Sequence, residues 1–394
     1  MPVSNHIHKS SGHSPGLKAG QLCLEFGRRI YHPFGFKRGY NFVLFAILVG
    51  ALMGFVLARL QYLNIDGIFL KVSCPGACSK RALHANSQLR LTSNDVQKTI
   101  PGDAIHYQSG YKRVGIILHL ACILPAGFLV CFQFAPVIRH KFLMFHRVNG
   151  YAIILLLLTG NAGAFMVIPI AGGGSPATQA GLGLLGTMTT VSVVLAYINI
   201  KRLQIDQHRA WMIRTWVYAG SVISVRLVQM AANTFIAQHQ QGHWYDVQTC
   251  ENIWKQYTLY GAPAGAGNPA PYLYPACTAP NSSEPVIIKA NVHGFGPEFV
   301  TASFHLTFGM SVWLCLAIHA IGVETYLKLT PAESERLRLV SYERQLEAGF
   351  KHPGRAGLTV DRIGDAVAWE PIGRTTQACQ SSSESKGVVA RVDE

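Results

Sequence analysis

Six apolar runs, each of span length, constrain this chain more than any other feature. They lie near residues 41–60, 114–134, 148–170, 181–200, 211–235 and 299–327. A hydrocarbon core takes about 20 apolar residues as a helix. Of the 394 residues 49% are hydrophobic and 14% charged, whereas a soluble domain carries about a quarter charged residues. The expected fold is therefore an all-α polytopic membrane bundle of six transmembrane helices, with the lipid bilayer as its first partner.

The net charge of +14 raises nucleic acid as a partner, but the basic residues are not gathered on one reading helix, which argues against it. They flank the spans instead. Arg28, Arg29, Lys37, Arg38, Arg139, Lys141, Arg147, Lys201, Arg202 and Arg209 all fall on one side of a six-span arrangement. Arg59, Lys112 and Arg113 sit at the opposite ends. The positive-inside rule makes the richer side cytosolic and puts both termini there. The first forty or so residues are mostly polar, so no cleavable signal peptide is expected and the first span reads as a signal anchor. A secretory-pathway or plasma membrane is the expected location.

Cysteine placement tests that orientation. Cys74, Cys78, Cys250 and Cys277 fall in the two long loops assigned to the outside, while Cys122, Cys131 and Cys315 lie within spans and Cys23 and Cys379 in the cytosolic ends. Four cysteines in an oxidising compartment allow three pairings. The expected ones are Cys250 with Cys277 and Cys74 with Cys78. The sequon Asn281-Ser282-Ser283 also lies in an outside loop, where glycosylation is expected.

The composition divides the chain into three parts. Residues 1–40 read as a disordered cytosolic N-terminus. Residues 41–327 form the membrane domain, with outside loops near 61–113 and 237–298. The second loop carries Trp244, Tyr245, Trp254, Tyr257, Tyr260, Tyr272 and Tyr274, and reads either as a disulfide-tied cap or as a substrate lid. Residues 328–394 read as a cytosolic helix and a disordered tail. Thr330-Pro331-Ala332-Glu333 has the form of a capping box, with the helix running to Ala348 before Gly349 and Pro353 stop it. No Walker loop, serine-hydrolase elbow or paired-carboxylate motif is present.

Polar residues at span depth are costly and call for a function. His119 enters the second span between one and two turns from the outside, and His305 lies at similar depth in the sixth. His319 follows fourteen residues later, which returns to within about 40° of the same face roughly 21 Å further along the helix. His146 and His208 join His319 in an inner layer. Facing imidazoles can ligate a b-type haem; equally, each can hydrogen-bond a neighbouring helix. Arg226 shares a face with Gln229 and Asn233 and, like Arg214, needs an anionic or carbonyl partner. Asn161 and backbone carbonyls are candidates for Arg226.

The run from Gly115 to Arg226 resembles a family of multi-pass membrane proteins known only as a domain of unknown function. The likeness rests on His119, Phe132-Gln133-Phe134, His146-Arg147 with Gly150, His208-Arg209 with Trp211-Met212-Ile213-Arg214, and Arg226. Tyr151 stands where that family's arginine is expected. The resemblance implies membership and architecture rather than chemistry. The layout is also distantly similar to two-haem b-type membrane cytochromes.

Three readings follow. The first is haem-binding transmembrane electron transfer with a quinone-like or other small reductant. His119 and His305 would hold an outer haem b, two of His146, His208 and His319 an inner one, and Arg214 and Arg226 the propionates. The second is a cofactor-free membrane enzyme acting on a lipophilic substrate, with a histidine as acid or base. The third is a structural membrane protein whose polar residues fix helix packing. No motif in the sequence assigns a catalytic role to a particular residue.

Overall fold

The computed structural model describes residues 27–36, 38–70, 99–239, 244–260, 267–294 and 296–371. The described chain is helical apart from two short strands. Its membrane-length helices are α1 (Gly39–Arg59), α2 (Gly110–Gln133), α3 (Leu143–Val167), α4 (Pro176–Lys201), α5 (Ile205–Gln238) and α7 (Pro297–Leu329). Between α5 and α7 lie β1 (Tyr245–Thr249), α6 (Cys250–Tyr260) and β2 (Pro285–Lys289), and α8 (Pro331–Glu347) follows α7.

Five of these helices are long and apolar enough to cross a membrane; among the described residues α5 falls short of that standard. The sixth expected crossing is therefore a continuous 34-residue helix with a more polar surface. Its polar groups turn to α7: Gln229 Nε2 donates to the Phe304 carbonyl (3.3 Å), and Asn233 Oδ1 accepts from Ser303 and Thr307. Gln229 and Asn233 are buried, while Leu227 and Met230 stand more than 60% exposed. Comparable outward apolar residues occur on α1 (Ile47), α3 (Leu155) and α7 (Ile321). Exposed apolar surface of this extent marks a face that meets lipid or a partner.

The residues form two compact units, 1–61 with 121–157, and 62–120 with 158–394. In the first, α1 approaches α2 where Gly127 faces Val56; a Cβ at Gly127 would stand 2.9 Å from the valine side chain. Asn149 Nδ2 donates to the Leu129 carbonyl and Gln133 Nε2 to the His146 carbonyl, tying α3 to α2. In the second unit the N-terminal end of α2 meets the C-terminal end of α3 across Gly115 and Gly163, where a Cβ at Gly163 would lie 2.6 Å from the His119 backbone nitrogen. Small residues permit such close approach between membrane helices. Asn161 Nδ2 donates to Thr189 and Thr190 on α4, so its side chain fixes that helix pair.

The second long loop is a folded cap. β1 and β2 pair antiparallel from Tyr245–Lys289 to Thr249–Pro285. Ile253, Tyr257, Ala270, Ile288 and Ala290 pack with Ile236 and Ala302 around the buried Cys250–Cys277 disulfide. The hydroxyls of Tyr257 and Tyr274 donate to Glu298 Oε1 at the start of α7. Cys74 and Cys78 lie outside the described residues. Asn281 is exposed on the cap. The disulfide joins residues 27 apart, a loop whose closure stabilises by roughly 3.5 kcal/mol in the chain-entropy model. Replacing both cysteines by alanine should lower the melting temperature of the purified protein by several degrees; an unchanged melt would show that the cap holds without it.

Two further expectations change. Thr330 precedes α8 but its side chain does not cap the helix: Thr330 Oγ1 donates back to the Tyr326 carbonyl, and Glu333 pairs with Arg336. The segment after α8, expected to be disordered, is folded as far as the described residues run, to residue 371. Buried amides stitch it to the α4–α5 turn, with Gln345 bonding Gln204 and Gln204 bonding the Gly354 carbonyl. Residues 1–26 and 372–394 lie outside the described residues.

Candidate functional site

One cluster in the second unit combines acids, imidazoles and a cavity. A cavity of about 350 Å³ opens at the loop-bearing end of α7, lined among others by Asp103, His106, Gly172, Gly173, Asp246 and His305. This lies in the size range of small-molecule pockets, roughly 300–1,000 Å³. His305 sits two turns into α7, its side chain 15% exposed.

The ring is held from both sides. His305 Nδ1 lies 3.1 Å from Asp246 Oδ2 on β1. A carboxylate only accepts, so Nδ1 carries the proton. Nε2 is buried, without a hydrogen-bond partner among the described residues, and 3.5 Å from Asp103 Oδ1. This nitrogen is left to exchange a proton with whatever occupies the cavity, with one carboxylate orienting the ring and a second beside it.

Each acid is itself anchored. Asp103 follows Pro101 and Gly102 in a short helical turn, and its carboxylate accepts from the Gly172 N–H (2.9 Å) and the Gly173 N–H (3.4 Å). Those donors point inward because Gly172, Gly173 and Gly174 all have positive φ, at 57°, 79° and 65°. Side-chain-bearing residues rarely adopt this region. A Cβ at Gly173 would also lie 2.6 Å from the His305 ring, and one at Gly172 2.1 Å from Phe308. Asp246 is set by a buried relay: Gly102 N–H donates to Thr301, Thr301 to Gln256, Gln256 to Gln248, and Gln248 to Asp246 Oδ2.

His106 adds a second imidazole to the lining. Burial pushes its pKa below the usual value, and the Lys112 charge adds to that. It therefore stays neutral to lower pH than a free imidazole. The unfolded chain takes up this proton first, so this group's contribution to stability falls as pH drops below about 6.5. Among the described residues no set of three or more histidines, cysteines or acids is arranged to hold a metal ion.

Most of the other residues expected from the sequence bond to neighbouring helices. His119 Nδ1 bonds the Gly160 carbonyl on α3 (2.9 Å). His208 Nδ1 bonds the Ala196 carbonyl (2.9 Å). His319 uses both nitrogens, Nδ1 on the Val217 carbonyl (2.7 Å) and Nε2 on Ser224 (2.8 Å). His146 belongs to the first unit. Arg214 forms a two-pronged ion pair with Glu324 at 2.6 and 2.9 Å. Arg226 donates to Gln229 Oε1 (3.3 Å) and lies over the Phe308 ring. Asp103, His106 and Asp246 were missed by sequence reasoning, although the triple glycine at 172–174 and the acid after Pro101-Gly102 were visible signals.

Residues 116–249 match the family model described as Predicted membrane protein (DUF2306). The expected likeness to a multi-pass membrane family of unassigned function agrees with this match, and the chain is a polytopic, all-α integral membrane protein. It is also similar to the Ava biosynthesis cluster protein G of Aspergillus versicolor, at 23% identity over 348 residues, covering 78% of this chain and 93% of that one. No solved structure matches.

Proposed function

We propose that this protein is a membrane-embedded acid–base enzyme acting on a lipophilic small molecule, with His305 as the group that moves the proton. The observation that carries this reading is the His305 ring, held at Nδ1 by Asp246 and presenting a buried, unbonded Nε2 to a cavity beside Asp103. In the resting state the ring lies between two carboxylates, which favour the imidazolium, and Nε2 gives its solvent-exchanged proton to the bound molecule. The neutral imidazole left behind then takes a proton from elsewhere on the same molecule, which restores the imidazolium between Asp246 and Asp103. The net change is an isomerisation or ring closure that consumes no oxidant or reductant. A small-molecule substrate also suits a relative whose name places it in a biosynthesis cluster.

The same reading puts six crossings in the membrane, with α5 as the polar one, both termini cytosolic, and the cap, the cavity and a glycosylated Asn281 on the opposite side. The basic flanks at Arg139, Lys141, Lys201, Arg202 and Arg209 support that orientation.

Haem ligation by His119 and His305 has less support. An axial histidine needs one nitrogen open to iron and room for a flat ring beyond it. Nε2 of His305 instead faces Asp103 at 3.5 Å, and a Cβ on Gly102 would stand 3.3 Å from it. His119 Nδ1 and both nitrogens of His319 hold helix partners. The residues do not fit the group in this arrangement.

Two measurements test the proposal. Membranes containing the protein, incubated with a lipophilic extract of the source cells, should convert at least one component that membranes lacking it leave unchanged. The purified protein, expressed with haem supplied, should show no Soret band. A Soret band lost in His305→Ala would replace the proposal with the electron-transfer reading.

A further inference from the structure

The opposite end of the second unit carries a basic cleft that the site above does not use. It has a volume of about 550 Å³ and is lined by Arg202, Phe350, Lys351, His352, Arg355, Ala356, Asp361 and Arg362. Four of these side chains are permanently cationic and one is acidic. The acid is already committed: Asp361 lies 2.8 Å from Arg338 and accepts from the Trp369 N–H. Arg362 donates to the carbonyls of Ala356 and Gly357. The side chains of Arg202, Lys351 and Arg355 make no ion pair among the described residues.

The cleft is built in advance rather than being a chance meeting of surface lysines. Gln345 Nε2 donates to the Arg202 carbonyl (2.9 Å), and its Oε1 accepts from the Gly354 N–H (2.7 Å). Gln204 accepts from the Gly357 N–H and Asn199 from the Leu358 N–H. Asn199, Gln204 and Gln345 are fully buried. Three buried amides thus pin the 349–358 loop, with its positive-φ Gly349 and Gly354, against the end of α4.

Location narrows the ligand. Arg202 caps α4 immediately after its membrane-length segment ends at Lys201, so the cleft opens where a spanning helix leaves the bilayer. Basic pockets at that level suit phosphate-bearing head groups, with the phosphate among the cations and the acyl chains along the helix. Phe350 supplies an apolar wall. We infer that this cleft binds a phosphate-bearing anion at the membrane surface, a lipid head group or a free phosphate.

The test uses the full chain, purified in detergent, with dioctanoyl phosphatidic acid, dioctanoyl phosphatidylcholine and inorganic phosphate as separate probes. Phosphatidic acid is expected to bind about ten-fold or more tightly than phosphatidylcholine, and Lys351→Gln with Arg355→Gln to weaken it by about ten-fold or more. Lys351 is exposed and Arg355 half-buried, and an unchanged melting temperature without ligand shows that the double variant folds. Raising the salt should weaken binding to the wild type more than to the variant. Inorganic phosphate binding as tightly as phosphatidic acid would identify free phosphate as the source. Equal binding of the two lipids with no binding of phosphate would overturn the assignment, as would a double variant that binds phosphatidic acid like the wild type.

Discussion

Replacing Asp103 by alanine should destabilise the protein by about 3 kcal/mol or more, with the cost concentrated at the cap. The carboxylate accepts from the N–H groups of Gly172 and Gly173 and lies beside His305 Nε2. Its removal leaves those donors in a site where Asp103 is only 6% exposed. A buried polar group left without its partner costs about 1–3 kcal/mol. The three positive-φ glycines also lose the contact that holds their turn. Asp103→Asn keeps an accepting oxygen and should recover much of the loss. Melting curves in detergent should therefore order wild type, asparagine and alanine from highest to lowest. An alanine variant that melts with the wild type would mean that the carboxylate anchors nothing.

His305→Gln is expected to remove conversion of the substrate while leaving the fold intact. Glutamine can still reach Asp246 with its amide but has no nitrogen that titrates near neutrality. Losing a positioned general acid or base lowers turnover by about 10²–10⁴-fold. Asp246→Asn should act more mildly, because it loosens the orientation of the ring at Nδ1 without removing Nε2. Arg344→Ala, which breaks only an exposed pair with Glu347, serves as the matched control and should convert substrate like the wild type. Equal activity in His305→Gln and in this control would remove His305 from the chemistry.

The architecture was legible in the sequence because lipid imposes one strong rule: long apolar runs become helices. α1, α2, α3, α4 and α7 follow directly from that rule. α5 was legible as a helix of span length, but Arg214, Arg226, Gln229 and Asn233 make it the polar one, and its partners on α7 explain how it tolerates them. The site was only half legible. His305 stood out because an imidazole at span depth is expensive. Its partners did not, because Asp103 and Asp246 lie in stretches that read as ordinary polar loop. Asp246 is 59 residues away in sequence, and the Gly102–Thr301 bond that brings the 101–104 turn to α7 spans 199. No local pattern encodes such a pairing. The haem reading arose from the same gap: with the loop acids unplaced, the visible partners for a histidine were another histidine or a neighbouring helix. His208 and His319 show what the remaining histidines do instead, bonding backbone carbonyls of neighbouring helices.

Arg214 teaches a similar lesson. A cation at the helix end calls for an anion, and Glu324, near the C-terminal end of α7, supplies it 110 residues away. Arg209 and Arg214 thus join α5 to α7, with Arg209 reaching the Tyr326 hydroxyl at 3.2 Å, while His208 ties α5 to α4. These contacts brace the end of the unit remote from the cavity.

The central claim, that His305 passes a proton to and from a bound molecule, is tested most directly by solvent deuterium. Membranes carrying the wild type, His305→Gln or Arg344→Ala are incubated with the lipophilic extract in heavy water, and the converted component is weighed by mass spectrometry. The account predicts a product carrying solvent deuterium at carbon with the wild type and with Arg344→Ala, and neither product nor label with His305→Gln. The same labelled product from His305→Gln, formed at the wild-type rate, would contradict it.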